Sequence, residues 1–266
     1  VFHFYSISKK LFGGLFLLLI LLQCSEVGTA TSDPIEALSM VPKTALSDRQ
    51  EIERGIDAVP GTPSNNIIEI MWFASPDERI DRFRLYRSED PQGQVNFVPI
   101  ATIDVPNRFN QDTVFQDPFL ETDRPYYYYV TALTEGGTES EPSDTVWYSL
   151  IDKAEPSTPS GTIRPGQPRI EFTFRVPTSA TPNGYILRIE REIGSTIREL
   201  ILLDVVDPFT GNFGEPQITH VLEGDSLFNI FEDDVQYRWR IDLLPGDKVH
   251  SGSESNWQFF TIDWGI

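Results

Sequence analysis

Residues 120–132, Leu-Glu-Thr-Asp-Arg-Pro-Tyr-Tyr-Tyr-Tyr-Val-Thr-Ala, constrain the fold of this chain more than any other stretch. Side chains alternate across a strand with a period of two. Tyr126, Tyr128, Val130 and Ala132 therefore share one face, and Tyr127, Tyr129 and Thr131 share the other. The first set reads as core. Twenty prolines and eighteen glycines punctuate the 266 residues, which suits short strands better than long helices.

Other alternating runs surround this one. Ile68-x-Ile70-x-Trp72 is followed by the turn formers Ser75-Pro76-Asp77, and Phe83 to Arg87 alternates again. Phe97 to Ile103 and Val114 to Asp117 predict two more strands. Gly136-Gly137 predicts a hairpin, and Ser140-Glu141-Pro142-Ser143 leads into a strand at Thr145 to Tyr148. Short strands with turn signals every dozen or so residues predict an all-β Greek-key sandwich.

These residues resemble a fibronectin type III domain over 57–152. Trp72 sits where that family keeps its core tryptophan, and Phe83-x-Leu85 matches its Tyr-x-Val/Ile strand. Leu120 with Tyr126 matches the tyrosine corner, in which the hydroxyl folds back to donate to nearby backbone. The resemblance implies that the Phe83 and Tyr126 strands are neighbours. Arg82, Arg84 and Tyr86 then face outward beside Tyr127 and Tyr129. This aromatic–basic patch reads either as a partner-binding surface or as a self-satisfying ladder that shields a sheet face. Stacking of guanidinium on phenol is expected there.

The pattern restarts in the second half, over 153–266. Ile170-x-Phe172-x-Phe174, Tyr185-x-Leu187-x-Ile189 and Tyr237-x-Trp239-x-Ile241 follow the same order. Ser251 to Ser255 leads into Trp257 to Ile262 as Ser140 to Ser143 leads into Thr145 to Tyr148. The repeat predicts two immunoglobulin-like sandwiches in tandem. Ile151 to Pro168, with four prolines, reads as a semi-rigid linker. Leu227 precedes Tyr237 by ten residues where Leu120 precedes Tyr126 by six, so a second tyrosine corner is not expected. The stretch Asp207–Gly224 reads as a long recognition loop.

Residues 1–23 read as a targeting segment, with Lys9 and Lys10 ahead of the apolar run Leu11 to Leu22. At 12 residues that run is too short for a helix across a bilayer core of roughly 30 Å. It ends in Leu21-Leu22-Gln23-Cys24, which resembles the lipobox of bacterial lipoproteins. The resemblance implies acylation at Cys24, membrane attachment through that lipid, and, with Ser25 following, the outer membrane, on its periplasmic or surface face. Residues 24–56 are rich in Ser, Thr, Asp and Glu and read as a flexible tether.

The formal charge is −19, which opposes binding to nucleic-acid backbone by charge alone. One cysteine allows no intrachain disulfide. No nucleotide loop, zinc-protease motif or nucleophile elbow occurs, so no enzyme activity, cofactor or metal is expected. His220 reads as a surface-loop histidine, and Glu232-Asp233-Asp234 as a solvated turn rather than a calcium site. The expected function is a non-catalytic, lipid-anchored cell-envelope protein acting in adhesion, scaffolding or protein binding. The alternative is polysaccharide capture, with Tyr127, Tyr129, Trp257 or Trp264 as stacking platforms; a hydrolase with its site in 207–224 comes third.

Overall fold

The structure is a computed structural model that describes residues 33–44, 53–90, 95–106, 111, 113–193, 197–213, 217–247 and 249–265. The described residues are nearly all-β, as the alternation predicts. The first sandwich contains β1 (Asp57–Ala58), β2 (Ile68–Met71), β3 (Ile80–Ser88), β4 (Val98–Asp104), β5 (Val114–Asp117), β6 (Pro125–Thr134) and β7 (Val146–Leu150). One sheet runs β1-β2-β5 and faces a second that runs β4-β3-β6-β7. Ile68, Ile70 and Trp72 from one sheet meet Phe83, Leu85, Tyr126, Tyr128, Val130 and Ala132 from the other. Trp72 and Tyr126 are only 1% and 2% exposed. The period-two reading therefore assigns the inner face correctly on both sheets.

The corner forms with the opposite hydrogen-bond sense to the one expected. The Glu121 backbone N–H donates to the Tyr126 hydroxyl at 2.9 Å. Leu120 is buried beneath it.

Residues 35–44 do not behave as the tether expected over 24–56. Ile35, Leu38 and Met40 are buried in the first core. Val41 N–H donates to the Met71 carbonyl, and Phe73 N–H to the Ser39 carbonyl. Four buried apolar residues within 35–41, two of them two apart at Leu38 and Met40, are enough for the segment to pair beside β2 and bury one side. Composition alone missed this.

The second sandwich contains β8 (Glu155–Thr158), β9 (Gly161–Ile163), β10 (Arg169–Arg175), β11 (Gly184–Ile193), β12 (Ile197–Val206), β13 (Ile218–Glu223), the single-turn helix α1 (Leu227–Ile230), β14 (Gln236–Leu244), β15 (Ser251–Glu254) and β16 (Gln258–Ile262). The sheet β13-β10-β8 faces one built on β12, β11, β14, β16 and β9. Phe172, Phe174, Leu187, Ile189, Tyr237, Trp239, Ile241 and Phe260 fill the space between. A tyrosine corner is present here too. Glu232 N–H donates to the Tyr237 hydroxyl at 2.7 Å. Phe231, fully buried six residues before Tyr237, takes the place that Leu120 takes before Tyr126. Leu227 is buried from α1 instead.

Two more expectations change. The linker is short: β8 and β9 occupy much of 155–163, which leaves residues 151–154, of which Ile151, Lys153 and Ala154 are buried. The stretch 207–224 is not all loop, since β13 pairs with β10 from Ile218 to Glu223.

Ser251–Glu254, expected as a lead-in, is the strand that joins the two sandwiches. It pairs antiparallel with β14 and parallel with β7, Ser251 opposite Ser149 and Gly252 opposite Leu150. Ser149 N–H donates to the His250 carbonyl at 2.8 Å and Ile151 N–H to the Gly252 carbonyl at 3.2 Å. One face of each sandwich thereby belongs to a continuous ten-stranded sheet. Gly252 permits the approach: a Cβ there would lie 2.7 Å from the Tyr148 hydroxyl and 3.2 Å from the Leu243 carbonyl.

Candidate functional site

The patch singled out from sequence is assembled mostly by Glu139, which follows the β6 hairpin turn. Its carboxylate accepts hydrogen bonds from the Tyr86 hydroxyl at 2.7 Å, the Thr131 hydroxyl at 2.6 Å and Arg84 Nη1 at 3.1 Å. Burial pushes this carboxyl up, but the hydrogen bonds from Thr131 and Tyr86 and the Arg84 charge together hold it below the usual range. Tyr86 and Tyr129, directly opposite in register, stack at 4.6 Å, and Phe97 packs on Tyr129 at 4.7 Å. Tyr127 belongs to a neighbouring stack, with Trp147 at 5.9 Å and His250 of the second sandwich a further 4.3 Å from Trp147. Arg82 pairs with the adjacent Asp81 at 2.8 Å. Arg84 thus turns to the exposed Glu139 carboxylate beside the Tyr86 hydroxyl rather than over a phenol ring face, because a charge-assisted hydrogen bond outweighs an exposed cation–π contact. Beside the Trp147–His250 stack lies a cleft of ≈ 380 Å³ lined also by Met40, Val146 and Val249.

A second constellation sits where the sandwiches meet, and the sequence reading passed it over. Arg240 and Asp242 alternate with the inward Trp239 and Ile241 on β14, and Arg188 and Glu190 alternate with Leu187 and Ile189 on β11. Such positions read as solvated, yet Arg188, Glu190, Arg240 and Asp242 are all buried. Arg240 Nε donates to Asp242 Oδ1 at 2.8 Å. Its Nη2 donates to Glu254 Oε1 at 2.7 Å and to Glu53 Oε2, from the segment ahead of β1, at 2.6 Å. Burial works against the guanidinium charge, but Asp242, Glu254 and Glu53 hold it well above even its ordinary value. Trp257 covers the pair Arg238 and Arg240 at 3.9 and 4.8 Å. On the side of the first sandwich, Asp57 accepts from the Tyr148 hydroxyl at 2.9 Å and pairs with Lys43. Lys153, from the connector, donates to the Val59 carbonyl at 2.7 Å, and burial pushes its ammonium down to about 8. A cleft of ≈ 340 Å³ opens over this cluster. Oxygens of Glu53, Asp57 and Glu254 lie within 4.8 Å of one another, but Arg240 pairs with Glu53 and Glu254 and Lys43 with Asp57, so they belong to the ion network of the joint. The legible signal was the Arg-x-Glu and Arg-x-Asp spacing on neighbouring strands; the missing knowledge was that a second module covers them.

His220 lies on β13, not on a surface loop, and is 9% exposed. Its Nδ1 faces the Tyr185 hydroxyl at 3.0 Å and its Nε2 faces Asp204 Oδ2 at 3.1 Å. A neutral ring with the proton on Nε2 satisfies both partners. Burial pushes its pKa below the ordinary value in spite of Asp204. Of the Glu232-Asp233-Asp234 turn, Glu232 pairs with Arg191 and Asp233 accepts from the Trp264 N–H at 2.6 Å. Trp264 donates its indole N–H to the Phe231 carbonyl and meets Phe228 edge-to-face at 4.7 Å, and Arg238 takes one face of Trp257. Phe119, next to the corner leucine, is 86% exposed with φ of 61°, a conformation that costs a non-glycine residue roughly 1–2 kcal/mol. Cys24 lies outside the described residues.

No family model and no curated protein matches the chain. Among solved structures it is similar to a β-1,2-glucanase from Parabacteroides distasonis at 24% identity and a TM-score of 0.29, over 43% of this chain and 13% of that one. It is similar to the FN1–FN3 domains of chicken CNTN1 at 12% identity and a TM-score of 0.28, over 87% of this chain and 68% of that one. A third is pectate lyase PelI from Erwinia chrysanthemi in complex with tetragalacturonic acid, at 15% identity and a TM-score of 0.27, over 41% of this chain and 33% of that one.

Proposed function

We propose that the chain is a non-catalytic, lipid-anchored protein of the bacterial envelope, attached through Cys24 at the outer membrane, whose two sandwiches present their loops to a protein partner in adhesion or scaffolding. The observation that carries this reading is the joint. Sheet pairing between β7 and β15, together with ion pairs from Arg240 to Glu53 and Glu254, couples the modules without a flexible spacer. A coupled pair holds its loops at a defined separation, which suits a presenting arm. Phe119, 86% exposed and followed by the exposed Glu121 and Asp123, is the loop residue best placed to enter an apolar socket on a partner.

Protein binding is favoured over glycan capture by the ring geometry. Tyr86 with Tyr129 and Trp147 with His250 lie nearly parallel, at 24° and 15°, and spend ring faces on each other that a sugar would need. The test is affinity capture from detergent-solubilised envelopes with the intact chain and with Phe119→Ser. A partner held by the first and lost with the second supports the reading. Recovery of the bait alone, together with glycan-array binding lost in Tyr127→Ala, would replace it with glycan capture. Continued palmitate labelling of Cys24→Ser would remove the anchor.

A further inference from the structure

Phe119 is the most exposed large apolar side chain among the described residues, and it belongs to neither core. The backbone on both sides of it is fixed. Asp117, two residues before, is buried and accepts from the Tyr128 hydroxyl and from Arg87 Nη1, each at 2.9 Å. Leu120, next after it, is buried and donates its N–H to the Asn66 carbonyl at 3.1 Å. Between them Phe119 takes a left-handed φ of 61°, which glycine would adopt without steric cost. A ring held outward in a strained conformation, with no packing in return, is an anchor made ready for a contact outside the fold.

The loop that carries the ring is also built onto the joint. Asp123 N–H donates to the Leu150 carbonyl at 2.7 Å, and Leu150 is the β7 residue that pairs with Gly252 of β15. The Thr122 hydroxyl donates to Asp152 Oδ1 at 3.1 Å, and the other oxygen of Asp152 accepts from the Ser179 hydroxyl of the second sandwich. One carboxylate thus fastens the corner loop to the loop between β10 and β11, where Thr178, Ser179 and Thr181 are exposed. The charge beside the ring is negative. Glu121 and Asp123 are exposed, and Arg124, the nearest guanidinium in sequence, is divided between Glu89 and Glu121. Asp123 pairs with no cation among the described residues.

We propose that Phe119, its acidic flank and the 178–181 loop form one binding surface across the joint, which takes a protein whose apolar socket is rimmed by lysine or arginine. This rests on the protein-partner reading above, and assigns the partner a site and a charge. Carboxylates beside the ring favour a cationic rim, and they repel anionic lipid and other copies of this chain, whose formal charge is −19. Because Asp152 holds the two loops together, the partner meets both at one separation and need not order them first.

Benzoylphenylalanine, a photoreactive phenylalanine analogue, placed singly at Phe119, Thr178, Phe73 or Phe259 of the full chain, maps the surface in envelopes of the cells that make it. Phe73 and Phe259 are exposed elsewhere on the two sandwiches. The expected result is one protein cross-linked from Phe119 and from Thr178, and from neither of the other two. Its yield is expected to fall between about 0.1 M and about 1 M salt, as the screening length shrinks from about 10 Å to about 3 Å. A protein cross-linked only from Phe73 or Phe259 would overturn the proposal and leave the protein-partner reading standing. A product from Phe119 that never forms from Thr178 would overturn the shared surface, and a yield indifferent to salt would overturn the cationic rim. Cross-linking of Phe119 to lipid alone would make the loop a membrane contact instead. No product from any position would sink both readings. Phe119→Gly supplies a check that needs no partner: its melting temperature is expected to hold or rise, and a clear fall would show that the ring serves the fold and overturn the proposal.

Discussion

The two sandwiches build the same corner from different residues. Tyr126 and Tyr237 each accept a backbone N–H from five positions ahead, at 2.9 and 2.7 Å. Asp123 and Asp234, three positions ahead, both adopt a left-handed conformation with φ of 58°. Beneath the turn lies Leu120 in one case and Phe231 in the other. What the corner requires is a buried apolar side chain six residues before the tyrosine, not a leucine. Phe231 meets that need by packing against Tyr237 and Phe260 at 5.1 and 6.1 Å. A reading tied to the residue type looked to Leu227 and missed it.

The core tryptophans differ in the same instructive way. Trp72 and Trp239 are both buried and each meets a phenylalanine edge-to-face, at 5.6 and 5.2 Å. Trp239 donates its indole N–H to the Pro159 carbonyl at 2.9 Å, whereas no acceptor lies within reach of the Trp72 N–H among the described residues. The largest expected effects come from Trp72→Ala and Trp239→Ala, each about 3–5 kcal/mol by denaturant unfolding. The comparison sharpens with phenylalanine. Trp239→Phe is expected to lose more stability than Trp72→Phe, by about 1–2 kcal/mol, because only the former strands a buried carbonyl while the latter also removes an unsatisfied donor. Equal losses would show that the indole hydrogen bond contributes little.

The corners come next. Tyr126→Phe and Tyr237→Phe are each expected to cost about 1 kcal/mol, the net worth of one hydrogen bond. A much larger loss in one would break the equivalence. A smaller effect separates the sandwiches by pH. His220, in the second only, has its folded pKa pushed below the ordinary 6.5 by burial. The unfolded chain therefore binds a proton first, and the stability that His220 contributes is lost as pH falls below about 6.5. Melting curves of His220→Gln should show a weaker acid dependence than the unmodified chain. Smallest is Glu139→Gln, for which about 0.5–1 kcal/mol is expected, since Glu139 itself is exposed and its partners Arg84 and Tyr86 are in part open to water.

Much of this fold was legible from alternation, because a strand with one wet and one dry face writes its period into the chain. Ile68, Trp72, Phe83, Tyr128, Phe172 and Trp239 all lie where that period puts them. The joint was not legible for the converse reason. Arg188, Arg240 and Asp242 stand on faces that are outward within one sandwich and inward between two. Periodicity in a single strand cannot tell these apart. The connector misled similarly: its prolines suggested a spacer, yet Pro156 and Pro159 lie in and just beyond an edge strand, β8, where a missing N–H is tolerated.

The central claim is that the two sandwiches are held as one body by β15. Double electron–electron resonance between labels at Glu135→Cys and Asp225→Cys, in a Cys24→Ser background, tests it most directly, since both sites are exposed and lie in different sandwiches. One narrow distance is expected, broadening in Gly252→Ala, where the added methyl collides with the Tyr148 hydroxyl. A broad distribution in the parent chain, unchanged by Gly252→Ala, would contradict the account.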